Sequence, residues 1–428
     1  MVKIIVTDKY NGYKLNEVDL KVNESTNYFI KPLKVLDKEF IGFGGAFTES
    51  SAYNLSRVSR NQRMEALKQY YDEDGLNYNL GRIPMGGCDF ALSSYNHISE
   101  NDKTLSTFSM ERDELYILPL VNDALSLNKN IKFLVSPWTP PYWMKDNNSP
   151  IKGGHLKKEY YTLYSDYYVR YLRELNDRNI NVFAITIQNE VEAKQRWDSC
   201  LFTKEEEAEF GVVLAKRVKE YNKDIDVYCL DHNKEILNER AKYIYDYDKT
   251  NLIKGSAVHW YCGEQFEELR KHNEMFPDRT LIETECCIES TPNNHTYESA
   301  ERYARHILNN LKYDCLAYID WNLFLDETGG PNWVNNLCDA PVIIHVNREE
   351  TIKQLSYYAI GQFSKYILPK SKRVEIETNL PIDVVCFGKK NGYKVYVVLN
   401  QAEVDYTFTI NGSCYKSLKK SIMTINEE

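Results

Sequence analysis

Eight apolar strand segments alternating with helical segments, spread over about 325 residues, predict an α/β chain centred on a (β/α)₈ barrel, a TIM barrel. Two further observations shape that fold class. Both chain ends read as short strands joined by turns, which predicts an accessory β-sandwich built from residues 1–35 and 367–428 and leaves 36–366 to the barrel. Two apolar strands, 182–187 and 280–285, run into carboxylic acids, which packing alone does not favour because an unpaired buried carboxyl is costly. A doubly wound sheet is the rival architecture and would be unusually long.

Strands are expected at 3–7, 13–22 and 28–35, separated by Asn-Gly and Asn-Glu-Ser-Thr turns. The Gly-rich stretch Phe40-Ile-Gly-Phe-Gly-Gly-Ala-Phe47 reads as the first barrel strand. It lacks the spacing and the lysine of a phosphate loop, so its glycines point to close backbone packing. The alternation then continues with a helix at 56–71, a strand at 78–84, a helix at 111–127, a strand at 132–136 and a helix at 158–176. Residues 182–187 are mostly β-branched or aromatic without Gly or Pro, the pattern of a parallel strand buried on both faces. A capping box, Thr203-Lys-Glu-Glu206, opens a helix reaching about residue 221. Further strands are expected at 226–232, 256–261, 280–285 and 315–321, with helices at 297–311 and 349–366 closing the series. Beyond Pro369 only strands remain, at 373–378, 382–387, 394–399, 406–410 and 421–425, with Asn391-Gly392 and Asn411-Gly412 as hairpin turns. A chain that leaves this region and returns to it makes the small domain a brace.

The composition excludes several function classes. No window approaches the roughly 18 apolar residues of a membrane span, and the apolar run after Met1 is too short for a signal-peptide core, so a cytoplasmic protein is expected. Ten cysteines without metal-ligand spacing predict free thiols. No cofactor and no metal are expected. A net charge of −9 argues against nucleic acid, whose phosphates need a basic footprint. Composition sets no oligomeric state. Thirty-three tyrosines and six tryptophans offer ring faces on which sugars stack, although any single tyrosine reads more simply as an ordinary half-buried side chain.

In a (β/α)₈ barrel the working residues stand at the C-terminal strand ends. Here those positions hold Arg82, Asp89, Trp138, Asn189, Glu190, Asp231, His232, His259, Tyr261, Glu285 and Trp321. Carboxylates, hydrogen-bonding groups and aromatic rings suit a sugar. Glycoside hydrolysis with retention needs two carboxyls ~5 Å apart, and Glu190 and Glu285, on the fourth and seventh strands, would face each other across the barrel mouth. The charge of Glu285 is expected to raise the pKa of Glu190, and Arg82 to hold Glu285 ionised. Blander readings stand beside these. Gln188-Asn189-Glu190 can simply open a loop, Trp138 and Trp143 can plug the barrel top, His259 reads as an orienting or core histidine, and Glu49 and Glu192 read as solvent or helix-cap acids.

At this point the chain resembles glycoside hydrolase family 30, the glucosylceramidase-like retaining β-glycosidases, over nearly its whole length. The matching runs are Gly42-Phe-Gly-Gly-Ala-Phe-Thr48, Gly81-Arg-Ile-Pro-Met-Gly-Gly-Cys-Asp-Phe90, Ser136-Pro-Trp-Thr-Pro-Pro-Tyr-Trp-Met-Lys145, Gln188-Asn-Glu190, Val258-His-Trp-Tyr261 and Asp320-Trp-Asn-Leu323. Gly329-Gly-Pro-Asn-Trp-Val-Asn-Asn336 and Phe363-Ser-Lys-Tyr366 extend them to the end of the barrel. The resemblance implies that Glu190 is the acid/base and Glu285 the nucleophile. It places Asp89, Trp138, Asn189 and Trp321 around the sugar, Tyr261 near the nucleophile and Asn336 near the rim. Two departures stand out: Val191 replaces the family's proline after the acid/base, and the nucleophile stretch reads Thr284-Glu285-Cys286-Cys287. Glu283 adds a carboxyl two residues back, expected on the same strand face as Glu285 and as a buried partner for a base such as Arg82. The implied reaction is hydrolysis of a terminal β-linked sugar, a β-glucoside first, on a small glycoside or oligosaccharide. β-Xylosidase, β-fucosidase and β-1,6-glucanase activities of the same family are alternatives, with glucosylceramide among the family's substrates. A catalytically silent carbohydrate-binding barrel and a metal-dependent hydrolase are the readings from other classes.

Overall fold

The computed structural model of the protein describes residues 2–292 and 296–428. Eight parallel strands close into a barrel in chain order: Gly42–Ala46, Leu80–Pro84, Lys132–Ser136, Val182–Thr186, Asp226–Asn233, Ile253–His259, Thr280–Glu285 and Cys315–Asn322. The interior is filled by side chains such as Leu80, Leu134, Tyr228 and Ile319, while outward residues such as Phe133, Ile185 and Val227 pack under the helices. The glycines of the strands do what close packing demands. A Cβ on Gly44 would collide with the Leu80 carbonyl oxygen, and one on Gly255 with that of Thr280, so neighbouring strands approach through bare backbone.

The two chain ends meet in one nine-stranded sheet, where Val2–Asp8 lies antiparallel to Ser421–Glu427. The sheet curls until Lys416 N donates to Leu20 O (3.0 Å) and Val22 N to Cys414 O (3.1 Å), enclosing a core of Val6, Tyr396, Val398, Phe408 and Met423. Its other face, with Phe387, Val395, Val397 and Ile422, joins the core of the barrel. At the Asn411-Gly412 turn both residues have positive φ (48° and 82°), as a tight hairpin requires.

Several elements differ from the sequence expectation for local reasons. The expected helix at 349–366 is a helix only at Leu355–Ser364. Glu350–Lys353, with β-branched Thr351 and Ile352, is a strand in a three-stranded sheet with Val342–His345 and Phe324–Asp326. The helix expected at 56–71 begins only at Arg60, capped by Ser59, and a separate helix, Glu49–Ser56, capped by Thr48, precedes it. The 111–127 helix breaks at Tyr116, and Pro119 falls in the first turn of Ile117–Leu127, where its missing N–H costs nothing. In the terminal sheet, Ser413–Ser417 is an additional strand and Phe29–Glu39 runs on to the start of the barrel.

Candidate active site

Three strand ends carry β-bulges, and each turns a polar or aromatic side chain toward the barrel mouth. On the fifth strand Leu230 pairs with Ala257 and His232 with Val258, so Asp231 is extruded between them. Leu230 and Asp231 have φ of 73° and 45°, a strained conformation held by the buried Glu207 carboxylate, which accepts from Leu230 N at 2.6 Å. On the seventh strand Glu283 pairs with Val258 and Glu285 with His259, which extrudes Thr284. On the eighth, Trp321 is the unpaired residue between Asp320 and Asn322. Glu190 follows the fourth strand in the left-handed conformation, φ 50°, with its N–H donating to Asp231 O at 2.8 Å.

These ends converge on Arg82, which is fully buried. Its Nη1 donates to Glu285 Oε2 at 2.6 Å, its Nη2 to Asn189 Oδ1 at 2.8 Å and Asp231 Oδ2 at 2.9 Å, and its Nε to Ser136 Oγ at 3.1 Å. The guanidinium also lies 4.8 Å from the Trp138 ring and 5.5 Å from that of Trp321. Asp231 accepts further bonds from Thr186 Oγ1 (2.6 Å), Thr284 Oγ1 (2.5 Å) and His259 Nε2 (3.0 Å). Burial alone would raise its pKa, but Arg82 and His259 outweigh burial and hold the carboxyl well below the usual range. Tyr261 donates its hydroxyl to Glu285 Oε1 at 3.0 Å.

Charge is distributed differently from the expectation. Burial opposes the His259 cation, yet Glu285, Asp231 and Glu190 together lift its pKa to about 10. His259 Nδ1 stands 3.5 Å from Glu190 Oε1, and despite burial this contact draws the Glu190 carboxyl below the ordinary glutamate range. Repulsion from Glu285 therefore does not set Glu190. Burial raises Glu285, with His259 and Arg82 opposing. Glu190 with neutral His259 on one side, and carboxylate with imidazolium on the other, contain the same number of protons, so the two residues titrate as a pair across a 3.5 Å gap.

A cleft of about 300 Å³ opens above this network. Asp89, Trp138, Asn189, Glu190, Tyr261, Glu285, Trp321 and Asn336 all line it, and Arg82 and His259 lie buried beneath. Trp138 and Trp321 stack at 5.2 Å. Asn336, expected near the rim, donates to Asp89 Oδ2 at 3.0 Å, and burial lifts Asp89 to about 7 against that bond. Trp197 and His232 also line the cleft. A larger hollow of about 820 Å³ lies on the terminal sheet, away from the strand ends where barrel chemistry is placed.

Glu283 corrects the sequence reading. The bulge at Thr284 breaks the period-two alternation, so Glu283 faces the helix layer, where it binds His306 Nε2 (2.8 Å), Asn310 Nδ2 (2.8 Å) and Lys234 Nζ (3.6 Å) rather than Arg82. Glu49 is buried, not solvated. It accepts from Leu92 N at 2.7 Å and pairs with Arg112 at 2.7 Å. Asp231 is the residue whose importance the sequence reading missed. Its signal was present as an acid at a strand end, but only the fold brings four donor side chains to it. Among the described residues, the group with metal-ligand geometry is Glu190, His259 and Glu285, whose ligand atoms lie within 4.8 Å of one another. A metal there would have to compete with the proton that the Glu285, Asp231 and Glu190 carboxylates favour on His259.

A profile of the glycosyl hydrolase family 30 TIM-barrel domain matches residues 40–367. The chain is 30% identical over 393 residues to the lysosomal acid glucosylceramidase of Mus musculus, covering 86% of this chain and 76% of that protein. Among solved structures, SrfJ from Salmonella typhimurium superposes with a TM-score of 0.94 at 31% identity over 100% of both chains. The endo-β1,6-glucanase BT3312 superposes with a TM-score of 0.89 at 25% identity, over 99% of this chain and 98% of the other. With the profile spanning most of its length and the barrel, sheet and strand-end groups all in place, this chain belongs to glycosyl hydrolase family 30.

Proposed function

We propose that the protein is a retaining β-glycosidase that removes a β-linked glucosyl unit by double displacement. One observation carries this reading: carboxyl oxygens of Glu190 and Glu285 lie within 4.8 Å of each other at one cleft. That spacing suits direct attack by one carboxylate and leaves no room for the water that inversion places between them. Glu285, held by Arg82 and Tyr261, attacks the anomeric carbon. The proton shared by Glu190 and His259 passes through Glu190 to the leaving oxygen, and the glycosyl-enzyme ester forms on Glu285. Glu190 then takes a proton from the incoming water, which attacks the same carbon and releases Glu285. Trp138 and Trp321 give the sugar ring its apolar wall, and Asp89, Asn336 and Asn189 give its hydroxyls polar partners. The names of the relatives, a glucosylceramidase and an endo-β1,6-glucanase, support a β-glucosyl unit.

The test is a panel of aryl β-glycosides (glucoside, xyloside, fucoside and galactoside) run on the wild type and on Glu190→Gln. The glucoside should be cleaved with the β-anomer appearing first by NMR; the α-anomer first would remove the double displacement. Glu190→Gln should lose about 10²–10⁴-fold in rate, most on alkyl glucosides and least on nitrophenyl glucosides, whose leaving group needs no proton. Hydrolysis should survive chelators, and sensitivity to them would favour a metal-dependent enzyme. Sugar binding without turnover of any substrate would favour a binding protein.

A further inference from the structure

An ion triad of Glu192, Glu207 and Arg240 takes no direct part in the proposed reaction. Glu207 is fully buried in the first turn of the helix Lys204–Tyr221, and Arg240, 4% exposed, reaches it from the helix Leu237–Tyr247. Arg240 Nη1 donates to Glu207 Oε2 at 2.6 Å, and Nη2 donates to Glu192 Oε1 at 2.8 Å and to Phe202 O at 2.9 Å. Val191, Leu201, Phe202 and Ile236 stand around the guanidinium. Buried charge in such surroundings is weak evidence for stability, because apolar side chains of similar volume often serve as well. Its use lies in the two segments that its bonds tie together. On one side, Glu207 Oε1 accepts from Leu230 N at 2.6 Å and so fixes the bulge that extrudes Asp231. On the other, Glu192 stands two residues beyond Glu190, and Phe202, at the far end of the same loop, donates its N–H to Val191 O at 2.9 Å. Glu190 N donates to Asp231 O at 2.8 Å and closes the circuit. Leu230, Asp231 and Glu190 all have left-handed backbone, with φ of 73°, 45° and 50°, a conformation that persists only where the surroundings over-determine it.

We propose that Arg240 is a positioning residue for the acid/base: through Glu207 and Glu192 it locks the loop of Glu190 to the Asp231 bulge and so fixes the Glu190 carboxyl against the leaving oxygen. The forked guanidinium suits this work, because its two outer nitrogens reach carboxylates on different segments at once, which a single ammonium does not. Neither Arg240 nor its two carboxylate partners touches the sugar. They act through the backbone at residues 190 and 231, and proton transfer is sensitive to displacements of about 1 Å. The inference rests on Glu190 being the acid of the proposed reaction.

The test compares kcat/KM on two leaving groups. An alkyl β-glucoside needs the Glu190 proton to depart, whereas a dinitrophenyl β-glucoside does not. Arg240→Met combined with Glu207→Gln removes both buried charges without stranding a carboxylate, and the new amide still accepts from Leu230 N. This pair should lower kcat/KM on the alkyl glucoside about tenfold and on the dinitrophenyl glucoside less than about twofold. Glu192→Gln, at a side chain 48% exposed where folding is not at stake, should lower the alkyl rate about threefold with the same selectivity. Equal losses on the two substrates would reduce the triad to a structural role and overturn the proposal, as would no loss. Hydrogen exchange reads the same lock without turnover: the Glu190 N–H should exchange about tenfold faster in the paired variant. If the wild type cleaves no glycoside, the hydrolase reading fails and exchange alone decides the lock. Faster exchange at Glu190 then upholds the tie between loop and bulge, and unchanged exchange removes it.

Discussion

In the proposed mechanism the leaving group takes its proton from Glu190, whose titration is tied to that of His259. Asp231 fixes the far nitrogen of the imidazole at 3.0 Å and stays ionised because Arg82 is 2.9 Å away, so the cation is favoured on the near side of Glu190. The couple gives up that proton only when His259 itself titrates, at about 10. The basic limb of kcat/KM, which reports the free enzyme's acid, should therefore lie well above neutrality. In His259→Gln the proton has only Glu190 to rest on, and a glutamic acid releases it at lower pH than a raised imidazolium does. The sign follows: the limb moves toward acid, by at least about one pH unit given the size of shift a buried partner produces. A pH profile with the basic limb in its original place would show that His259 orients Glu190 without sharing its proton. Glu285 requires the opposite treatment: burial lifts its carboxyl, and the 2.6 Å bond from Arg82, with the Tyr261 hydroxyl on its other oxygen, works against that lift.

Strands five, seven and eight each gain a residue near the barrel mouth, and these bulges decide which side chains face the cleft. Without the one at Thr284, period-two alternation would give Glu283 and Glu285 the same face. With it, one carboxyl enters the helix layer and the other the cleft. The sixth strand is the reference against which two of the bulges are set, through Val258. Its own spacing depends on Gly255, where a methyl group would meet the Thr280 carbonyl oxygen of the seventh strand. That atom is backbone and cannot swing away. Gly255→Ala should lower stability by about 3 kcal/mol, at the upper end for overpacking, with a reduced midpoint of thermal unfolding. A midpoint unchanged within a degree would mean that the sixth and seventh strands can separate without loss.

The terminal sheet closes the chain on itself and is not an appendage. Gln362, in the last helix of the barrel, donates to Thr7 Oγ1 at 2.9 Å and accepts from Thr424 Oγ1 at 2.5 Å, so it ties the first and last strands to the catalytic domain. Arg373 makes a two-pronged contact with Asp314 at 2.7 and 2.9 Å beside the start of the eighth barrel strand. Val395, Val397 and Ile422 share one apolar core with the helices beneath them. A chain ending at residue 367 would leave that core open to water, as well as leaving Val2–Asp8 without Ser421–Glu427, one of the two strands it pairs with. Such a truncation should be insoluble or unfolded by circular dichroism, and the full chain should unfold in one calorimetric transition. A soluble, active barrel from residues 40–367 would overturn this reading.

Apolar periodicity was enough to reveal the barrel and the terminal sheet, because burial on two faces forces runs like Val182–Thr186 and tight turns force Asn411-Gly412. Acids at the ends of such runs pointed to Glu190 and Glu285 as a pair, and the closed barrel brings their carboxyl oxygens within 4.8 Å. The bulges could not be read this way, since an extra residue is defined only against the neighbouring strand, and so the outward turn of Glu283 was hidden. Nor could the setting of Asp231, His259 and Glu207. Their partners Arg82, Thr284 and Arg240 lie far away along the chain, and the charge of a buried group depends on which atoms the closed barrel brings within about 4 Å of it. Side-chain chemistry and its period are local properties that the amino-acid order carries directly. Register, burial and the sharing of a proton are relations between distant segments, and they exist only once the barrel has closed.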